Sequence, residues 1–287
     1  MPDARIRLRR PAGDVVGRVY RRRRDGDMPL QARSASGIGP VPVAPTRDLV
    51  GALVAGTPFY VAHRMGGTEY PEFTRTGMEA SLRAGFKALE VSVRRCSTGE
   101  FVAIHDWKTT RTAKGSDYEI WKTPWSTLST LRQGAGPFMR LSDIVEAAPG
   151  DVVLAIDHKE TSDRVNTNPD AIHSENLLLD YLDTAFAGRA QDRVLWKHFY
   201  KADIQRAKER GYRTMCMMYE SELPNADLSK WDVLGLEWNA SGAAWDSLNA
   251  TGKPTIAHII TDGGQATQAF NRGAKGLMAS FPTRVHP

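Results

Sequence analysis

From residue 46 onward, short β-prone runs alternate with segments that have the pattern of helices, such as residues 75–85 and 174–188. Repeated units of this kind favour a parallel sheet covered by helices. Eight strands are counted if residues 101–105 are an extension paired with the second strand. The alternation therefore predicts an α/β fold, a TIM (β/α)8 barrel. A chain of 287 residues is long enough, since such barrels commonly take about 250 residues.

The end of the chain predicts one departure from a regular barrel. Only seven residues follow Ser280, at the end of the last strand-like run, so the helix after the eighth strand is expected to be lacking. The segment 46–56 carries an apolar face that we expect to fill this gap, against the open side of the barrel or its base. This face consists of Leu49, Val50, Leu53 and Val54.

Composition divides the chain near residue 45. Residues 1–45 are rich in Arg, Gly, Pro and Ala and lack periodicity, so we expect a basic arm that is extended or disordered. Residues 46–287 are expected to form the barrel. Much of the formal net charge of +5 lies in this arm. The arm is a candidate tether to a larger assembly, whereas nucleic acid is not an expected partner because only Tyr20 is interleaved with the arginines.

Signals for export or membrane insertion are not recognisable in the sequence. No apolar run follows the basic residues near the N-terminus, as a secretory signal peptide requires. Every uninterrupted apolar stretch is shorter than the roughly 18 residues that cross a bilayer. We therefore expect no membrane span, and a protein that is cytoplasmic or part of a larger assembly.

Two histidines, each followed by a charged residue, close strand-like runs. They are His63-Arg64 in FYVAHR and His105-Asp106 in FVAIHD. A single histidine is more often structural, but the carboxyl ends of parallel barrel strands meet at one mouth. Because imidazoles transfer protons near pH 7, the pair predicts acid–base chemistry there.

Carboxylates and cations are expected at the same mouth. Glu90 lies within KALEVSVRR, and the run VVLAIDHKE ends in Asp157 and Lys159. Carboxylates can hold a divalent metal, and cations can neutralise a phosphate. With the two histidines, these residues are the ingredients of phosphodiester cleavage.

Five motifs in the order expected for one family carry a more specific indication. They are HRMGG at 63–67, PEFT at 71–74, LEVSV at 89–93, VAIHDWKTTRT at 102–112 and DHK at 157–159. The chain resembles the glycerophosphodiester phosphodiesterases, within the superfamily of phosphatidylinositol-specific phospholipase C-like phosphodiesterases. The resemblance covers roughly residues 58–283 and is weaker toward the C-terminus, where HIITD and GAKGLMASFP have drifted from the family pattern.

The resemblance implies a role for each matching residue. His63 and His105 match the general acid–base pair, and Arg64 and Lys159 match positions that neutralise the phosphate. Glu90 and Asp157 match carboxylates that bind a divalent metal, Mg²⁺ or Ca²⁺. Ser92 departs from the pattern, because the family has a metal-binding aspartate there.

A further strand end adds candidates to the site. Glu237 and Trp238 close the run VLGLEW and are expected to reach the mouth. Glu237 is a candidate third metal carboxylate in place of the missing aspartate, or else a member of a structural ion pair. Trp238 is a candidate substrate contact, and His198 and His258 are candidate pocket walls.

Three functions are compatible with these residues. The first is a metal-assisted hydrolase acting on a small glycerophosphodiester or a glycerophosphate polymer. The second is a metal-independent phospholipase C-like phosphodiesterase, and the third is a non-catalytic barrel that binds glycerophosphate. The intact histidine pair favours the first two, whereas Ser92 favours the last two.

Overall fold

The computed structural model describes residues 47–162 and 168–287. The predicted basic arm, residues 1–45, lies outside this part of the chain. Within the described residues the strands are β1 (Phe59–Ala62), β2 (Ala88–Arg95), β3 (Phe101–Ala103), β4 (Arg132–Gln133), β5 (Gly136–Pro137), β6 (Val153–His158), β7 (Val194–Phe199), β8 (Arg213–Met218), β9 (Val233–Glu237), β10 (Thr255–Ile260) and β11 (Gly276–Ala279).

The α-helices of the same residues mostly follow barrel strands. They are α1 (Leu49–Ala55), α2 (Arg75–Arg83), α3 (Trp125–Leu128), α4 (Leu141–Ala147), α5 (Lys159–Ser162), α6 (Ala171–Ala185), α7 (Gln205–Glu209), α8 (Gly242–Asn249) and α9 (Gly263–Asn271). N-capping residues mark where several of these helices begin. The side chains of Thr74 and Asp262 accept hydrogen bonds from backbone N–H groups in the first turns of α2 and α9. No helix in the described residues is long and apolar enough to cross a membrane.

Eight parallel strands close into a barrel, which confirms the predicted fold class. Their order is β1-β2-β6-β7-β8-β9-β10-β11, and β11 returns to β1 through the register Phe59↔Gly276 to Ala62↔Ala279. β3 pairs antiparallel with the end of β2, as expected for an extension of the second strand. After β11, residues 280–287 contain turns and no helix.

Helix α1 packs at the amino-terminal base of the barrel. Val50 is fully buried among inward-facing strand residues such as Val61, Ala88 and Met215, and Leu49, Leu53 and Val54 pack beside it. Asp48 caps the helix by accepting a hydrogen bond of 2.8 Å from Gly51 N–H, and both of its carboxylate oxygens lie 2.6 Å from the guanidinium of Arg213. The apolar face predicted for this segment therefore closes the base.

Replacing Val50 by alanine should lower the free energy of unfolding by about 2 kcal/mol, because two buried methyl groups are lost from a filled interior. Urea denaturation monitored by circular dichroism measures this change. The control is Ala52→Ser on the exposed side of the same helix, which should change stability by less than about 0.5 kcal/mol. Equal effects of the two substitutions would contradict the packing of α1 against the base.

Candidate active site

The interior of the barrel changes from apolar to charged along its axis. Side chains alternate between the two faces of each strand, so every second residue points inward. On β2 the inward series runs from Ala88 through Glu90 to Ser92, and on β6 it runs from Ala155 to Asp157, level with Ser92. The charged residues are thus stacked above an apolar layer, toward the carboxyl end of the strands.

His63 begins the turn that follows β1 and is 8% exposed. Its Nδ1 lies 2.6 Å from the hydroxyl oxygen of Ser280, the residue that follows β11. The next residue, Arg64, has φ of 47° in the left-handed region, and its backbone N–H donates to Glu90 Oε2 at 2.6 Å. Contacts from two neighbouring strands therefore hold the imidazole at the mouth, with Nε2 left for a ligand.

His105 is oriented by the residue beside it. Its Nδ1 lies 2.8 Å from Asp106 Oδ1, and Arg94 Nε donates to the backbone carbonyl of His105 at 3.1 Å. Arg111 Nε in turn donates to Asp106 Oδ2 at 2.5 Å. A carboxylate on one ring nitrogen favours the tautomer that leaves the other nitrogen free for chemistry.

An ion-pair network links the two histidine loops. Glu72 accepts from Arg64 at 2.8 Å and from Arg111 at 2.7 Å, so one buried carboxylate joins the loop after β1 to the loop after β3. Glu72, Asp106 and Arg111 were not among the site residues predicted from the sequence. A signal was present, since these residues lie inside the motifs PEFT and HDWKTTRT.

Two carboxylates and two lysines form the centre of the site. Lys197 Nζ lies 2.5 Å from Asp157 Oδ2 and 3.5 Å from Glu90 Oε1, and Lys159 Nζ lies 2.8 Å from Asp157 Oδ2. Ser92 donates to Glu90 Oε1 at 3.0 Å. Lys197 was missed in the sequence, because apolar residues occur on both faces of the strand VLWKHF and do not show which face points inward.

The charges in this centre shift one another's pKa values. Burial by itself would raise the pKa of Glu90, but Lys197 and then His63 lower it to about 2. Burial opposes ionisation of Asp157 in the same way, and the two lysines hold its pKa well below the usual value. For Lys197, the opposing effect of burial is overcome by Asp157 and Glu90, which raise the pKa of the ammonium. Glu90, Asp157 and Lys197 are thus ionised at neutral pH, whereas burial lowers the pKa of Lys159 more than Asp157 raises it.

Both histidines have lowered pKa values. Burial is the largest cause for His63, and it outweighs the opposing charge of Glu90. Burial also lowers the pKa of His105 more than the hydrogen bond to Asp106 raises it. Each imidazole is therefore neutral at pH 7, and a positive charge on His105 further lowers the pKa of His63.

The other residues expected at the mouth make contacts outside this centre. Glu237 Oε1 accepts a backbone hydrogen bond of 3.3 Å from Glu220, and Trp238 is half-buried against the core. His258 is buried, donates from Nε2 to the carbonyl oxygen of Met218 at 2.9 Å, and contacts the ring of Tyr219 at the mouth. His198 faces away from the barrel interior and stacks on Trp196, so it is not a wall of the mouth.

The carboxylates do not fit a divalent metal as they stand. Ser92 is a neutral donor to Glu90, and the ammonium of Lys197 contacts both carboxylates that were expected to bind the ion. Within residues 47–162 and 168–287, no group of three His, Cys, Asp or Glu side chains is arranged to hold a metal, so Glu90, Asp157 and Glu237 do not form the expected set. Mg²⁺ and Ca²⁺ require several oxygen ligands, which this arrangement does not offer.

Comparisons with known proteins agree on one family. The sequence model of the glycerophosphoryl diester phosphodiesterase family matches residues 63–232. A Mycobacterium tuberculosis protein described as a probable glycerophosphodiester phosphodiesterase is 36% identical over 64 residues, which is 22% of this chain and 23% of that protein. An uncharacterised Bacillus subtilis protein, YqiK, is 25% identical over 138 residues, 48% of this chain and 56% of the relative. The matched segments thus span less than two thirds of these curated relatives.

Solved structures share the barrel at low sequence identity. An Oleispira antarctica phosphodiesterase in complex with the product sn-glycerol-3-phosphate superposes with a TM-score of 0.63 at 19% identity, over 79% of this chain and 94% of that one. The glycerophosphodiester phosphodiesterase of Thermotoga maritima gives a TM-score of 0.61 at 16% identity, over 78% and 94% of the two chains. These similarities support the fold.

Replacing Asp157 by asparagine should lower the free energy of unfolding by about 3 kcal/mol or more, because two buried ammonium groups lose their shared counter-charge. The matched control is Asp151→Asn, which removes an aspartate 2.8 Å from Lys87 where both side chains are mostly exposed. That surface pair should contribute less than about 1 kcal/mol. Urea unfolding of both variants tests the difference, and equal losses would contradict a buried charge centre.

Proposed function

The chain belongs to the glycerophosphoryl diester phosphodiesterase family, and we propose that it hydrolyses phosphodiesters of glycerol to a phosphomonoester and an alcohol. The family match confirms the family expected from the motifs. The observation that carries the proposal is the pair of imidazoles, His63 and His105, held beside an ionised centre at the barrel mouth. The substrate class is a small glycerophosphodiester or a glycerophosphate polymer.

The two imidazoles are assigned opposite proton transfers. His63, whose pKa is lowered well below the usual value mainly by burial, is neutral and accepts a proton from the attacking water or hydroxyl. His105 is hydrogen-bonded to Asp106, which stabilises its protonated form, so it donates a proton to the departing alkoxide as the P–O bond breaks. The lowered pKa of His105 makes its imidazolium a strong proton donor.

Arg64 and Lys159 are the assigned phosphate-binding cations. Arg64 adjoins His63 and is partly exposed, and the ammonium of Lys159 lies beside the ionised Asp157. Fixed cations stabilise the negative charge that develops on phosphate oxygens in the transition state, because they need no reorganisation during the reaction. The two residues therefore complete a site that binds, orients and cleaves a phosphodiester.

A cavity next to the histidine loops offers room for the esterified alcohol. It has a volume of about 850 Å³ and is lined in part by Glu72 and Arg111, which also belong to the network around His105. Lys114 and Arg132 add positive charge to its walls and Glu69 adds negative charge, so cations outnumber carboxylates by three to two. This surface suits an anionic substrate longer than a single phosphodiester.

Replacing either His63 or His105 by alanine should lower turnover of glycerophosphodiesters by roughly 10²-fold or more, because each variant lacks one proton-transfer group. Steady-state release of the alcohol from glycerophosphocholine and from a glycerophosphate polymer measures the effect. His173→Ala, an exposed histidine on α6, is the control and should retain wild-type turnover.

Activity that survives both catalytic substitutions would overturn the assignment of His63 and His105. If the wild-type protein binds these substrates and turns over none of them, the non-catalytic binding barrel replaces the proposed enzyme.

The pH dependence of kcat/KM should be bell-shaped, with its alkaline limb below about 6.5, the ordinary histidine pKa. The active free enzyme has His63 neutral and His105 protonated. Because burial lowers the pKa of His105, this form is lost as the pH rises through the lowered value. Asp106→Asn should move the alkaline limb to still lower pH, since the hydrogen bond that raises the pKa is weakened. A kcat/KM value that keeps rising above pH 7 would contradict the assignment.

A further inference from the structure

We propose that the ammonium of Lys197 takes the place of a divalent cation between Glu90 and Asp157, so that the site works without a bound metal ion. Lys197 is then a positioning residue. It holds the two carboxylates together and neutralises them beneath the phosphate-binding groups.

The position of the ammonium is the first observation behind this role. Lys197 Nζ lies 2.5 Å from Asp157 Oδ2 and 3.5 Å from Glu90 Oε1. Its side chain is 6% exposed, and the two carboxylates are at most 1% exposed. The three residues point inward from β2, β6 and β7, which are consecutive in the barrel. The cation is thus fixed by the fold between two groups that could otherwise share an ion.

The remaining carboxylate oxygens also have protein donors. Arg64 N–H donates to Glu90 Oε2, and Ser92 donates to Glu90 Oε1. Ser162 donates to Asp157 Oδ1 at 2.6 Å, and Lys159 shares Oδ2 with Lys197. All four oxygens therefore already accept at least one hydrogen bond or ion pair, and two carboxylates alone do not supply the six or more oxygen ligands that Ca²⁺ takes.

Charge balance favours the same conclusion. Two negative charges, on Glu90 and Asp157, are already matched by the ammonium groups of Lys159 and Lys197. A divalent ion entering this layer would meet two fixed positive charges at close range. A carboxylate at position 92 would change the balance, but Ser92 is neutral.

The consequence for function is a built-in cation that chelators cannot remove. This role rests on the phosphodiester hydrolysis proposed above, because the carboxylates matter to turnover only in a working site. Metal affinity, however, can be measured without any substrate. Failure of the proposed hydrolysis and failure of the lysine role are therefore distinguishable.

Calorimetric titration of the wild-type chain with Mg²⁺, Ca²⁺ and Mn²⁺ is the first test. We expect no saturable binding up to about 1 mM, the weak end of the range for protein calcium sites. The melting temperature should not rise with these ions, and turnover should be unchanged by EDTA. Saturable binding of one ion per chain below this concentration, or loss of turnover in EDTA that the ion restores, would overturn the proposal.

The second test moves the charge. The double variant Ser92→Asp/Lys197→Ala restores a carboxylate and vacates the cation position, so it should bind Mn²⁺ or Ca²⁺ at least tenfold more tightly than the wild type. Its melting temperature should rise with the ion even if it is unstable without one. Lys197→Arg, which keeps the positive charge, should not bind the ion. Lys87→Ala, which removes a lysine from a surface pair with Asp151, is the control and should behave as the wild type.

A folded double variant that binds no ion would show that Lys197 does not occupy a cation site. If the double variant remains unfolded at every ion concentration, the wild-type titration and the Lys197→Arg variant decide the question, because both need only the native arrangement of charges.

Discussion

The structure depends on neutralising two carboxylates that the barrel holds away from water. Glu90 and Asp157 are at most 1% exposed, and an unpaired buried charge of this kind costs several kcal/mol. The counter-charges come from Lys159 and Lys197, which belong to different parts of the barrel. Ile156 pairs with Trp196 in the ladder between β6 and β7, so the residues that follow, Asp157 and Lys197, emerge side by side. Neutrality is therefore reached only when the strands have this register.

The apolar layer below the charges provides the water-poor surroundings in which the buried ion pairs form. Ala155 and Leu195, with Val50 from α1, fill the lower interior and keep water from the base. Electrostatic interactions are stronger in such surroundings than in water, which favours fixed charges above the layer. Exposure then increases toward the mouth, from Asp157 at 0% to His63 at 8%, and the His105 side chain is 29% exposed. The groups assigned to proton transfer thus lie where a substrate can reach them, above a filled apolar base.

Much of this site is predictable from local sequence, because strand ends of a parallel barrel converge and the motifs mark them. His63, Glu90 and His105 could be found in this way, together with Asp157 and Lys159. Lys197 could not, since its inward direction depends on the register of β7 against β6, which neighbouring residues do not determine. The position of the Glu237 carboxylate likewise depends on a loop, because it accepts a hydrogen bond from the backbone N–H of Glu220. Contacts that cross strands or loops are long-range, and a single sequence does not specify them.

The charges of the ion pairs around the two histidines explain why protonation of one histidine matters. In the ion pairs around the two histidines, four carboxylates (Glu72, Glu90, Asp106 and Asp157) contact four cations (Arg64, Arg111, Lys159 and Lys197), so the charges within these ion pairs balance. Burial keeps His63 neutral, and a proton on His105 then leaves one positive charge in excess. A phosphodiester carries one negative charge, so it complements the site when His105 holds the proton that the leaving alkoxide needs. A divalent ion added to the same ion pairs would raise the excess positive charge to three. An aspartate at position 92, together with loss of the Lys197 charge, would offset the two added charges and leave a position for the ion. Ser92 and Lys197 together therefore set the net charge of the site that binds the anionic substrate.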